Sequence, residues 1–362
     1  METAFWISIA VIAYVWAGYP LLIGAWARVA RKPVRRRPVS AIASWPSISI
    51  VLAARNEGPR LGARLSNLLD LPYPGRREVI VVSDGSSDNT AEVVGAFGAA
   101  VRFLEVPGGG KPAALNAGVA AATGDILVFA DARQRFAEAA LMELVANFED
   151  PAVGGATGEL VIDAEHGAGA STIGESVGLY WKLEKYLRKR ESLVRSTLGA
   201  TGCIYALRRA LWRPLPVETL LDDVLAPMRA VLDGWRVVFE ERAQAFDTAA
   251  PDADAEARRK VRTLAGNYQI LAQEPRLLVP FLNPVWLQYA SHKIGRLLVP
   301  WAMAAAVLSN VVLALDSWFF AAVLGIQGAF FGLAALGAWL EGEDARELSL
   351  KLAPARRQET AR

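Results

Sequence analysis

Three stretches of the chain contain no Asp, Glu, Lys or Arg: Thr3 to Ala27 (25 residues), Leu297 to Leu315 (19) and Ser317 to Leu340 (24). A helix crosses the hydrocarbon core in about 20 apolar residues, so each stretch can span a bilayer. The last two meet at Asp316 and Ser317, which predicts a tight hairpin. From Pro46 to about Gly155, short β-branched runs alternate with helical ones. Ser47 to Ala53, Glu78 to Ser83, Val101 to Val106 and Asp125 to Ala130 read as strands, and Pro59 to Leu69, Asp88 to Phe97 and Pro112 to Ala122 as helices. That alternation predicts a mostly parallel α/β sheet covered on both faces, with ligands at the carboxyl ends of its strands. Further on, Gly174 to Ser192 and Asp222 to Leu232 read as helices and Thr201 to Leu207 as a strand. Pro275 to Arg296 is apolar but broken by Pro280 and Pro284. Its uncharged core, Leu277 to Ser291, suits a segment lying in the membrane interface, a short fourth crossing being the alternative.

Composition agrees with this division. At 53% hydrophobic and 21% charged residues, and a mean hydropathy of +0.25, the chain is too apolar for a soluble enzyme and too charged to be membrane throughout. The 39 basic and 37 acidic residues nearly cancel, but Arg28, Arg31, Lys32, Arg35, Arg36 and Arg37 crowd behind the first apolar stretch. The positive-inside bias then puts the polar region in the cytoplasm, on an inner cell membrane, with the N-terminus outside. A signal peptide would have the opposite flank order and a shorter apolar run. The basic run abuts a membrane helix and suits anionic lipid, so no nucleic-acid partner is expected. Cys203 stands alone, as in a reducing compartment.

Polar clusters follow the predicted strands: Arg55-Asn56-Glu57, Asp84-Gly85-Ser86-Ser87-Asp88, and Asp131. Singly they are turn and cap chemistry, with Ser87 or Asp88 suited to an N-cap. Gly108-Gly109-Gly110-Lys111 lacks phosphate-loop spacing, and no G-x-G-x-x-G follows the first strand. Two histidines and one cysteine cannot form a usual zinc site, and no serine elbow supports a hydrolase triad.

In order, SISIVLAARNEG, VVSDGSSDNT, GGGKPAALNAG, DILVFADARQRF, GATGCIYALRR, LLDDVLAPMRAVLDGWRVVFE and RRKVRTLAGNYQ resemble the membrane-bound family 2 glycosyltransferases, which include cellulose, chitin, hyaluronan and poly-N-acetylglucosamine synthases. The resemblance covers roughly Pro46 to Leu271 and implies a GT-A-type fold with transmembrane helices at both ends. It implies that Asn56, Glu57, Asp84 and Lys111 line the nucleotide pocket, and that Asp131 binds a divalent metal, Mg2+ or Mn2+. Asp223 would be the catalytic base beside Asp222, and Arg259 and Arg262 would stand in the Q/R-x-x-R-W motif, with Arg262 on the pyrophosphate. The implied domains are a transmembrane helix (1–27), a basic linker (28–45), the GT-A domain (46–274), an interfacial segment (275–296), a transmembrane hairpin (297–340) and a cytoplasmic tail (341–362).

These residue types suit the chemistry. A metal and an arginine neutralise the charge of a departing nucleoside diphosphate, and a carboxylate takes the proton of an attacking sugar hydroxyl. Two positions depart from the family pattern. Arg133 replaces the second aspartate of D-x-D, leaving weaker metal binding or a direct arginine contact with phosphate. Thr263 replaces an acceptor-stacking tryptophan, which predicts short or single additions. The expected activity is inverting transfer from a nucleotide sugar, a UDP-sugar first, to a glycan or lipid-linked acceptor. The rival reading is a nucleotide-sugar-binding pseudoenzyme or accessory subunit of a synthase. With three crossings, a polymer channel would require a homo-oligomer or a synthase partner subunit.

Overall fold

The computed structural model describes residues 1–162, 172–247 and 253–359. The strands found among them form one sheet in the order β3-β2-β1-β4-β7-β6-β8-β5. They are β1 (Ile48–Ala54), β2 (Arg77–Asp84), β3 (Arg102–Val106), β4 (Ile126–Ala130), β5 (Arg135–Phe136), β6 (Val153–Ile162), β7 (Ile204–Arg208) and β8 (Arg236–Asp247). β3, β2, β1 and β4 are parallel; the apolar runs of β1, β2 and β4 predict this, whereas exposed Arg102 and Glu105 mark β3 as an edge strand. The other half is mixed: β7 is antiparallel to β4 and β6, β6 is parallel to β8, and β5 is antiparallel to β8. Gly-rich β6 and charged β8 carry no strong strand signal, so the sequence suggests a more parallel sheet than the one formed.

Register aligns the site. Ala54 pairs with Ser83 and Leu52 with Ala130, so Asn56, Asp84 and Asp131 emerge along one carboxyl edge. On one face, Leu61, Leu65 and Leu68 of the Gly58–Asp70 helix and Leu141 and Leu144 of the Ala140–Ala146 helix cover Ile50, Leu52, Val79, Val81 and Val128. The opposite face carries the Lys111–Ala121 helix.

The chain divides into two compact units, Pro20–Ala249 with Arg262–Lys293, and Met1–Tyr19 with Ala250–Val261 and Ile294–Arg362. The first contains the sheet. In the second, Phe5 meets Phe320 edge to face at 5.3 Å beside Ala306. Glu2–Val29, Trp286–Leu313 and Trp318–Gly337 are helices long and apolar enough to cross a membrane. The middle one starts well before Leu297. A π-turn at Ala290–Ile294 carries the helix past Lys293, and Arg296 lies 5.4 Å over the Trp16 ring. Pro275–Leu278 forms a single 3-10 turn, so the stretch expected to lie in the interface is divided between that turn and the head of a spanning-length helix.

Candidate functional site: an acidic cluster around Lys111

Asp84 ends β2 with 3% of its surface exposed. Its Oδ1 accepts from the Gly109 and Gly110 amides at 2.7 and 3.1 Å, and its Oδ2 from Gly110 at 3.0 Å. It thereby holds the glycine loop that delivers Lys111, the first residue of the Lys111–Ala121 helix, with Pro112 suited to that first turn. Asn56 adopts the left-handed conformation (φ 54°), which asparagine tolerates better than most side chains. Its amide donates to Ser86 Oγ at 3.1 Å, and its Oδ1 accepts from the Ser87 amide at 2.8 Å. Glu57 donates its amide to Thr90 Oγ1 and pairs its carboxylate with Arg60 at 3.3 Å. Asn56 and Glu57 thus join the β1 turn to the one after β2. Asp88 links the same turns, accepting from the Gly58 and Thr90 amides, each at 3.0 Å.

The Lys111 ammonium lies 2.9 Å from Asp131 Oδ1 and 3.5 Å from Asp222 Oδ2. Burial works to lower its pKa, but Asp222, Asp131 and Asp223 outweigh burial and hold it above the ordinary lysine value. Asp131 is 36% exposed, and buried Arg64 braces it by donating from Nε to its carbonyl at 3.0 Å. Burial pushes the Arg64 guanidinium down to about 10, with the Asp131 charge acting in the opposite direction. Arg133 pairs with Asp247 at 2.5 Å, an oxygen that also accepts from Gln134 at 2.9 Å.

The Asp222–Leu232 helix begins at the acidic pair, where its dipole favours negative charge, yet neither carboxylate makes a capping bond. Asp222 is 4% exposed, and its Oδ2 makes no hydrogen bond. Burial, followed by the Asp222 charge, pushes the Asp223 carboxyl up to about 6, while Lys111 and Arg188 act in the opposite direction. The loop before the pair is fixed by another helix. Arg262 donates to the Leu220 carbonyl at 3.1 Å, Gln269 accepts from the Leu220 amide at 2.9 Å, and a Cβ on Gly266 would meet Leu221 Cγ at 2.5 Å.

Asp84, Lys111, Asp131, Asp222 and Asp223 therefore gather at strand ends and helix starts, with Arg262 beside the loop. Arg259 is exposed on the Ala253–Gln273 helix and belongs to the other compact unit. Sequence reasoning missed Arg188 and Tyr205. Tyr205 stacks on Phe129 at 4.5 Å and has a buried, unbonded hydroxyl. Burial, then Asp222, Asp223 and Asp131, raises its pKa well above the usual tyrosine value. Its place next to the chemistry comes from the β4–β7 pairing, which no local motif encodes. Burial likewise pushes the Cys203 thiol up to about 12, so it remains a packed thiol and not a nucleophile.

No group of three or more His, Cys, Asp or Glu side chains among the described residues is arranged to hold a metal. A hard divalent ion can bind through one or two carboxylates with phosphate oxygens and waters, and the partly exposed Asp131 carboxylate fits that requirement.

Residues 49–213 match the model of glycosyl transferase family 2. The poly-β-1,6-N-acetyl-D-glucosamine synthase of Staphylococcus aureus is 24% identical over 258 residues, which are 68% of this chain and 61% of that protein. Its Staphylococcus epidermidis counterpart is 25% identical over 236 residues, 63% of this chain and 56% of that one. The chain thus spans about three fifths of the length of these relatives. A solved mannosyltransferase from Pyrobaculum calidifontis, in complex with GDP-Man and Mn2+, has a TM-score of 0.70 and 23% identity, covering 90% of this chain and 92% of that one. At that identity the likeness is one of fold.

Proposed function

From the match of residues 49–213 to the model of glycosyl transferase family 2, we propose that the protein is a membrane-bound inverting glycosyltransferase that moves a sugar from a nucleotide sugar to a hydroxyl of a glycan or lipid-linked acceptor. The observation that carries this reading is Lys111 between Asp131 and Asp222, with Asp223 raised to about 6 beside them. A carboxyl with that pKa is ionised at neutral pH and basic enough to accept a proton from a sugar hydroxyl as it attacks. The hydroxyl oxygen bonds to the anomeric carbon while the nucleoside diphosphate leaves with the electron pair, and one displacement inverts the centre. Lys111 offsets charge on the departing diphosphate, and Arg262 is held close to the acidic pair through Leu220. Asp131 would hold Mg2+ or Mn2+, which when bound supplies further neutralisation of the diphosphate.

The donor proposed first is a UDP-sugar. GDP-mannose is the second reading, favoured by the TM-score of 0.70 to a protein solved in complex with GDP-Man and Mn2+. The membrane and orientation proposed are the inner cell membrane with the transfer domain in the cytoplasm, supported by three apolar helices and the basic flank at Arg28. Titration of the detergent-solubilised protein with UDP and GDP, with and without Mn2+, tests the donor site. Metal-dependent binding of one nucleotide is expected. Failure of both to bind a folded protein would overturn the reading.

A further inference from the structure

Beside Asp223 lies a cation that the proposed transfer does not use. A Cβ on Gly202 would approach Asp223 Oδ2 to 2.8 Å, so the 201–203 turn forms a wall against the base. Thr201 is pinned there, donating its amide to Thr157 Oγ1 at 2.7 Å and its hydroxyl to the Gly158 carbonyl at 2.8 Å. Arg188, on the Thr172–Val194 helix, donates from Nη1 to Thr201 Oγ1 at 2.6 Å. Its neighbours are already occupied: Lys185 pairs with Glu159 at 2.6 Å, Lys189 with Glu241 at 2.8 Å, and Arg190 lies over the Tyr186 ring at 5.1 Å. No carboxylate among the described residues forms an ion pair with Arg188, and a guanidinium offers five donors in a fork that matches phosphate.

The same helix meets two spanning-length helices. Tyr186 donates to the Pro20 carbonyl at 3.4 Å, within Glu2–Val29. Glu191 lies 2.8 Å from His292 Nδ1, within Trp286–Leu313. Arg188 lies in sequence between these two attachments.

We propose that Arg188 is a specificity-determining residue on the acceptor side of the site, and that the acceptor carries a phosphate or phosphodiester next to its reacting hydroxyl. The proposal rests on Asp223 being the base. The transfer is otherwise unchanged: the hydroxyl oxygen bonds to the sugar, its proton passes to Asp223, the nucleoside diphosphate leaves, and the acceptor keeps its phosphate. A lipid head group and a free polyol phosphate share this chemistry.

The test uses the full chain in detergent, loaded with Mn2+ and whichever of UDP or GDP it binds. It is titrated with glycerol phosphate, glycerol, short-chain phosphatidylglycerol and short-chain phosphatidylcholine. Binding of glycerol phosphate or phosphatidylglycerol, but not glycerol, is expected, with phosphatidylcholine, which keeps the phosphodiester but lacks the hydroxyl, binding more weakly than phosphatidylglycerol. Phosphatidylglycerol alone would identify a lipid head group, and both probes together a polyol phosphate in general. Arg188→Gln should weaken the phosphate probe by about tenfold or more while nucleotide affinity stays near wild type, and Arg188→Lys should recover part of the loss. Equal probe binding by wild type and Arg188→Gln, no probe binding to the loaded wild type, or displacement of the nucleotide by glycerol phosphate would each overturn the proposal. Failure of the nucleotide to bind at all would instead overturn the donor site itself.

Discussion

Two adjacent aspartates differ in what surrounds them. Asp222 lies against Lys111, whereas Asp223 is pushed up to about 6 by burial and the Asp222 charge. With Asp223 as base, kcat/KM should fall about tenfold per pH unit below that pKa and level off above it. Asp223→Asn should keep nucleotide binding and lower transfer on the order of 10²–10⁴-fold. The stability effect has the opposite sign. The folded pKa exceeds the ordinary 3.8, so this carboxyl's contribution to stability declines as pH rises from 3.8 through about 6. The thermal midpoint of Asp223→Asn at pH 8 should therefore equal or exceed wild type, and a marked drop would make Asp223 a structural cap. Asp131→Asn should separate from it by losing nucleotide affinity, part of which added Mn2+ restores. An unmodified protein whose nucleotide binding ignores a chelator would remove the metal role of Asp131.

At the element scale, the arginines following the first apolar stretch prove to be a strap. Arg35 donates its amide to Asp150 at 3.0 Å, Arg37 pairs with Glu149 at 2.5 Å, and Arg36 bridges Glu143 at 2.8 Å and Glu240 at 2.7 Å. Burial pushes Glu240 up to about 7 despite Arg36, with Glu143 adding to the rise. Arg36→Ala leaves Glu143 and Glu240 with only the exposed Arg242, 3.4 and 2.9 Å away, and a loss of about 1–3 kcal/mol is expected. The loss should be smaller at pH 5 than at pH 8, because Glu240 takes up a proton at the lower pH; thermal unfolding in detergent at both values checks this. Gly266→Val should push the helix off Leu221 and cost about 1–3 kcal/mol, with turnover falling while nucleotide affinity stays. The four parallel strands and the Asp222–Leu232 helix are legible in the sequence because each is a local signal, short β-branched runs for the strands and helical spacing for the helix. β5, β6 and β8 are not, because short, Gly-rich or charged strands acquire their meaning from partners. The same limit applies to the site. Asp84, Lys111, Asp131 and Asp223 sit in recognisable motifs, whereas Arg188, Tyr205 and the arginine strap act through contacts distant in sequence.

Across the whole molecule, three helices of spanning length among the described residues accompany a sheet whose carboxyl edge gathers the acidic cluster. If each of these three helices crosses the membrane once, the two ends of the chain lie on opposite sides, and reporter fusions at Met1 and Arg362 should give opposite signals. The same side for both would require an even number. Whether this cluster transfers sugar from a nucleotide is decided by following nucleoside diphosphate release from a panel of UDP- and GDP-sugars by the full chain in detergent. Release from at least one donor with Mn2+ or Mg2+, abolished by a chelator and by Asp223→Asn, is the expected result. A folded, metal-supplied protein that releases nothing from any donor, or an Asp223→Asn variant that releases as fast as wild type, would contradict the account.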